Sequence, residues 1–128
     1  MGDLAMAKIL IVDDSSLSRR IMRGILETDK HEVIEATGGL AALERYFIDK
    51  PDLVLIDLAM PDMQGTEVLE KLMAMDNTAR VIIASADAQE MTRAAVQAAG
   101  AVGYITKPFM AQSVLDQVNQ ALITISQS

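Results

Sequence analysis

Three short runs in this 128-residue chain are apolar at every position: Ile9–Val12, Leu53–Ile56 and Val81–Ala84. A strand with one wet face alternates polar and apolar residues, so unbroken runs belong to strands covered on both faces, as in a parallel sheet. Glu32–Ala36 and Val102–Thr106 are weaker candidates, expected nearer the sheet edges. Between the runs lie segments of helical period. Leu17, Ile21, Met22, Ile25 and Leu26 share one half of a helical wheel, opposite Arg19, Arg20 and Arg23. Leu40, Leu43 and Phe47 form a second stripe, and Val68, Leu69, Leu72 and Met73 a third. Met91, Ala94, Ala95 and Ala98 form a fourth, and Val114, Val118, Leu122 and Ile125 a fifth, in a helix expected to run to about Thr124. Strict alternation predicts an α/β fold, a doubly wound five-stranded parallel sheet with five helices and right-handed crossovers. The expected strand order is 2-1-3-4-5, which puts a ligand crevice at the carboxyl ends of strands 1 and 3.

Composition narrows the function. The chain has no cysteine, which removes disulfides, thiolate metal sites and cysteine nucleophiles together. Eighteen acidic residues against eleven basic ones give a net charge of −7, a poor match to phosphate backbones, so direct nucleic-acid binding is not expected. No apolar run approaches membrane-spanning length and no export leader is visible, so a cytoplasmic protein with no membrane partner is expected. His31, the only histidine, rules out a histidine-cluster metal site and is expected in an exposed loop after the first helix.

Polar residues gather where the crevice should lie. Asp13 and Asp14 follow the first predicted strand, Asp57 follows the third, Ser85 closes the fourth, and Lys107 follows the fifth, directly before Pro108. Asp14 or Ser15 as a helix N-cap would explain one of these residues. It would not explain two adjacent carboxylates facing a third across the crevice. Such a trio either takes up protons or holds a cation, and oxygen-only ligation with room for water suits magnesium.

Leu10-Ile11-Val12-Asp13-Asp14-Ser15, Asp57-Leu58-Ala59-Met60-Pro61-Asp62-Met63-Gln64-Gly65, Ala84-Ser85-Ala86 and Gly103-Tyr104-Ile105-Thr106-Lys107-Pro108-Phe109 occur in this order. Together they resemble the receiver domain of bacterial response regulators, over a domain spanning 8–126 behind a short N-terminal extension, 1–7. The resemblance implies that Asp57 accepts a phosphoryl group from a sensor histidine kinase or a histidine phosphotransfer protein. It implies magnesium, with manganese able to substitute, on Asp13, Asp14, Asp57 and the backbone carbonyl of Ala59. Ser85 and Lys107 would bind phosphoryl oxygens, and Tyr104 would be the aromatic residue that turns inward as the hydroxyl moves. The Lys107–Pro108 peptide would be cis. A downstream protein target, not identified by the residues, would read the switched state.

The chemistry is coherent in its own right. Phosphoryl transfer to a carboxylate spreads charge over three equatorial oxygens, which a divalent cation and the Lys107 ammonium would neutralise. An acyl phosphate is reactive, so water can erase the mark. Ala59 departs from the larger polar residue often found there, and Asp87 lies two residues past Ser85; both are expected to tune the lifetime of the phosphorylated state. An aspartate-nucleophile phosphatase would need a second aspartate where Ala59 stands, and a cap. A flavin carrier would need a hydroxyl- and glycine-rich phosphate loop and stacking aromatics, in a chain that is 3% aromatic. A switch rather than an enzyme is therefore expected: a stand-alone chemotaxis-type regulator, or the receiver fragment of a longer transcriptional or enzymatic one.

Other features have plainer readings. Arg19, Arg20 and Arg23 are either a solvated face with Arg23 pairing to Glu27 or a docking surface for the phosphodonor. The methionines, with Tyr46 and Phe47, are expected to fill the core. Gly38, Gly39 and Gly65 suit turns and helix starts. An alanine-rich fourth helix buries little area, so it is expected to be the least firmly held. Helix 4, strand 5 and helix 5 would then form the face that changes on phosphorylation.

Overall fold

Each apolar run is a strand and each periodic segment a helix. The computed structural model describes residues 6–86 and 89–127. The elements are β1 (Lys8–Val12), α1 (Ser16–Thr28), β2 (Glu32–Ala36), α2 (Gly39–Asp49), β3 (Leu53–Asp57), α3 (Gly65–Met75), β4 (Val81–Ser85), α4 (Glu90–Ala98), β5 (Gly103–Thr106) and α5 (Ala111–Gln127). All neighbouring strands are parallel, in the order β2-β1-β3-β4-β5. Strands β3 and β4 run one residue further than their apolar runs, so Asp57 and Ser85 are the last residues of the sheet rather than the first of the loops.

The period-2 alternation of each strand divides the core into two layers. Leu10, Val12, Val54, Ile56, Val81 and Ile83 face α2, α3 and α4, where they meet Ala42, Tyr46, Val68, Leu69, Leu72 and Val96. Ile9, Ile11, Leu53, Leu55, Ile82 and Ala84 face α1 and α5, against Met22, Leu26, Val114, Val118 and Leu122. A fully buried side chain of this size contributes roughly 1.5–3 kcal/mol. The middle strands, enclosed on both sides, are therefore the firmest part of the fold.

Two helices turn a different face inward from the one their strongest apolar residues suggest. In α2 the buried residues are Gly39, Ala42 and Tyr46, while Leu40 and Phe47 are 69% and 70% exposed. Tyr46 takes the inward place because its hydroxyl reaches Asp76 at the end of α3, 2.8 Å away, so its polar tip is satisfied. In α4 the expected stripe faces outward; Met91 is 82% exposed and Val96 is the one buried residue of the helix. In α1, Met22 and Leu26 are buried, but Leu17 and Ile21 stand at the solvent edge of the apolar half. The α3 stripe lies inward as expected, and so does that of α5 at Val114, Val118 and Leu122. Among the methionines, Met22 and Met60 are buried and Met63 and Met73 pack on the core, whereas Met75 and Met110 are exposed.

His31 is buried rather than exposed. Its Nδ1 accepts a hydrogen bond from the Ala7 N–H at 3.1 Å, which draws the imidazole under the segment leading into β1. Burial pushes its pKa below the usual imidazole value, with Asp29 partly opposing.

Candidate functional site

Strand register sets the polar residues level with one another. Val12 pairs with Ile56, which puts Asp13 beside Asp57; Asp57 pairs with Ala84, and Ser85 with Thr106. Asp13, Asp57, Ser85 and Lys107 thus line one rim at the carboxyl ends of β1, β3, β4 and β5, where an open α/β sheet binds its ligands.

One carboxylate oxygen from each of Asp13, Asp14 and Asp57 lies within 4.8 Å of the others, with Asp13 and Asp57 buried and Asp14 exposed. Lys107 Nζ stands 3.3 Å from Asp57 Oδ1 and 3.4 Å from Asp13 Oδ2. Burial, and then the Asp13 carboxylate, push the Asp57 carboxyl above its usual range; Lys107 and the Ala59 N–H pull it back. Three carboxylates against one ammonium leave an excess of negative charge that a divalent cation would balance, and an all-oxygen donor set with one open side fits magnesium. Asp13, Asp14 and Asp57 supply the side-chain oxygens; the Ala59 carbonyl belongs to the exposed loop just past Asp57.

The surrounding backbone holds these groups in place. Asp13 Oδ1 accepts from the Ser15 N–H at 2.9 Å, and the Ser15 hydroxyl caps α1 by accepting from the Ser18 N–H at 3.1 Å. The capping reading is therefore right for Ser15, and the metal reading and the cap coexist on adjacent residues. Gly65 opens α3 hard against the end of β3: a Cβ there would lie 2.6 Å from the Asp57 carbonyl oxygen, which only glycine tolerates. The loop between β3 and α3 is anchored at a second point. Asp62 accepts from the Gly39 N–H at 3.0 Å and the Leu40 N–H at 3.4 Å, capping α2 from another segment of the chain. Those bonds, the Gly39 N–H first, hold the Asp62 carboxyl below its usual range.

Ser85 is buried at the rim, and its carbonyl accepts from the Lys107 N–H at 2.8 Å, which fixes the distance between the two residues. The Lys107–Pro108 peptide is cis. Tyr104 is already turned inward, 8% exposed and packed in the layer beneath α4, with the Arg93 guanidinium 5.1 Å from its ring centroid. Asp87 lies outside the described residues. The basic stripe on α1 is largely neutralised: Arg19 and Arg23 each reach Glu35 on β2 at 2.7 Å, and Arg23 also pairs with Glu27 at 3.0 Å. Arg20 remains exposed. Sequence reading missed Glu35 and Asp62; each acts on backbone or side chains far along the chain, and no local pattern marks them.

Fold and rim together define a doubly wound protein with an acidic, cation-competent site at its topological switch point. Residues 9–119 match the response regulator receiver domain family. The chain is 42% identical over 117 residues to the chemotaxis protein CheY of Bacillus subtilis, covering 90% of this chain and 97% of that one. Among solved structures it resembles a CheY-like response regulator receiver domain protein from Methanospirillum hungatei (TM-score 0.88, 30% identity, 95% and 98% of the two chains). It also resembles a chain of the CheX–CheY–BeF3–Mg2+ complex from Borrelia burgdorferi (TM-score 0.85, 32% identity, 88% and 87%). The chain belongs to the response regulator receiver domain family, as a CheY-like receiver of two-component signalling. Among the described residues no helix is long and apolar enough to cross a membrane.

Proposed function

We propose that this protein is a phosphoacceptor switch: Asp57 takes a phosphoryl group from a phosphohistidine on a sensor kinase or phosphotransfer protein, and the altered surface engages a downstream protein. The observation that carries this is the convergence of Asp13, Asp14 and Asp57 within 4.8 Å, with Lys107 bridging Asp57 and Asp13. An Asp57 carboxylate oxygen forms the new O–P bond as the N–P bond of phosphohistidine breaks, and the electron pair returns to the imidazole, which is then protonated. Lys107 is placed to leave its carboxylate partners for a phosphoryl oxygen. Ser85, at the neighbouring strand end, offers a hydroxyl to another. Asp13, Asp14, Asp57 and the Ala59 carbonyl would hold magnesium, which when bound offsets negative charge on the phosphoryl oxygens. Manganese has the same preference for oxygen donors.

The net gain of about one negative charge, as the Asp57 carboxylate becomes an acyl phosphate dianion, then shifts an inactive–active equilibrium. Tyr104 and the α4–β5–α5 face are the elements that respond, and Ala59 and Asp87, two residues past Asp57 and Ser85 in the chain, tune the lifetime of the phosphorylated state. The protein assists its own phosphorylation and dephosphorylation and turns over no separate substrate. It works in the cytoplasm, and the relative solved with CheX, BeF3 and Mg2+ supports a protein target and a magnesium-bound state. Acetyl phosphate with magnesium should add one phosphoryl group, seen by intact mass, and Asp57→Asn should abolish it. An unmodified wild-type protein, or an adduct that survives Asp57→Asn, refutes the assignment.

A further inference from the structure

Arg19 lies outside the carboxylate crevice yet is joined to it through one atom. Its Nη1 donates to the backbone carbonyl oxygen of Asp13 at 2.8 Å, while its Nε donates to Glu35 Oε1 at 2.7 Å. The second oxygen of Glu35 accepts from Arg23 Nε, also at 2.7 Å, so both carboxylate oxygens are engaged and the carboxylate plane is fixed. A guanidinium presents its donors in a rigid planar fork. With Nε seated on Glu35, the direction of Nη1 is set, and it falls on the Asp13 peptide. Only 15% of the Arg19 side chain is exposed, so the link is not a loose surface pair. On its other side, the Asp13 N–H donates to the Ala36 carbonyl at 3.2 Å, the residue next to Glu35 on β2. Strand β2 therefore grips Asp13 twice, directly at its N–H and through Arg19 at its carbonyl.

We infer that Arg19 is a positioning residue for the cation site: held by Glu35, it fixes the Asp13 peptide, and through it the aim of the Asp13 carboxylate at the metal. This rests on the magnesium reading of Asp13, Asp14 and Asp57. Arg19 touches neither metal nor phosphoryl group, so its contribution lies in affinity for the cation, not in the transfer step. The other reading of the same contacts is that Arg19 merely ties α1 to β2. That role would lower thermal stability and leave the intrinsic magnesium affinity of the folded protein alone.

Magnesium titration by calorimetry on the full chain separates the two. Arg19→Met keeps the packed stem and removes the fork. Outer partners of metal ligands are worth about 10- to 100-fold in affinity, and one acting through the backbone belongs at the low end, so the Kd should rise about tenfold. Circular dichroism should be unchanged, and saturating magnesium should restore labelling by acetyl phosphate. Arg19→Lys keeps the charge without the fork and should stay weakened. Arg19→Met combined with Glu35→Gln has the net charge of the wild type and should stay weakened too. A wild-type Kd in Arg19→Met overturns the inference, as does recovery in the lysine variant or the double variant, which would assign the effect to net charge. Should Arg19→Met fail to fold, the Kd of Arg19→Lys decides alone. A wild-type protein that binds no magnesium sinks the magnesium reading itself, a result distinct from all of these.

Discussion

Val96→Ala tests how α4 is attached. The helix has nine residues, and Val96, 1% exposed, is the only one buried; it packs in the layer with Tyr104, Ala101 and Ile83. Alanine removes two carbons from that contact. At about 0.8 kcal/mol per buried CH2, plus a small cavity term because a lightly held helix can settle, the loss is about 2 kcal/mol. If α4 opens as a unit while the sheet stays folded, its amides exchange through a partial opening that costs less than global unfolding. The amides of 93–98 should then exchange about thirtyfold faster in Val96→Ala, since 1.4 kcal/mol is about a factor of ten. The amides of β3, enclosed on both faces, exchange only through global unfolding. In wild type and variant alike they should be far better protected than those of α4, and denaturant should accelerate them more steeply. Hydrogen exchange followed residue by residue by NMR reads both regions in one sample. Equal protection and equal denaturant dependence in β3 and α4 would show that α4 is not a separate, weakly held unit. No acceleration in α4 would show that something other than Val96 fastens it.

Two further outcomes follow from buried polar groups. His31 has a pKa lowered by burial, so the unfolded chain binds a proton that the folded chain resists, and stability should fall as pH drops below about 6.5; His31→Asn should flatten that part of a Tm-against-pH curve, and an unaltered slope would place its origin elsewhere. Tyr46→Phe removes the 2.8 Å bond to Asp76 while leaving the ring in the core, at an expected cost of about 1–2 kcal/mol, read as a lower Tm with unchanged labelling of Asp57; a Tm equal to or above that of the wild type would contradict it.

The sheet and its rim were legible because both follow from strand ends. A run apolar at every residue marks a central strand, and parallel register then brings the residues just beyond each run to one level, which is why Asp13, Asp57, Ser85 and Lys107 meet. Helix faces were less legible. The wheel of α2 favours Leu40 and Phe47, and nothing near Tyr46 in the chain announces Asp76, thirty residues on, as the partner that lets a tyrosine be buried. In α4 the stripe is made mostly of alanines, which bury little area, so Val96, which lies off that stripe, decides the orientation. Arg19 could be read as basic but not as bound, because one of its partners is a backbone carbonyl, which has no letter in the sequence.

The cap that Asp62 places on α2 makes two distant positions interdependent. A Cβ on Gly38 would lie 2.8 Å from both Asp62 carboxylate oxygens, so any side chain at 38 evicts the cap, while shortening residue 62 opens the space. The order of change then matters: altering 38 first loses the two hydrogen-bonded N–H partners and also forces the Asp62 carboxylate to move, whereas altering 62 first loses only those two bonds. Among descendants of this sequence, a residue larger than glycine at 38 should be found chiefly where 62 has already ceased to be aspartate.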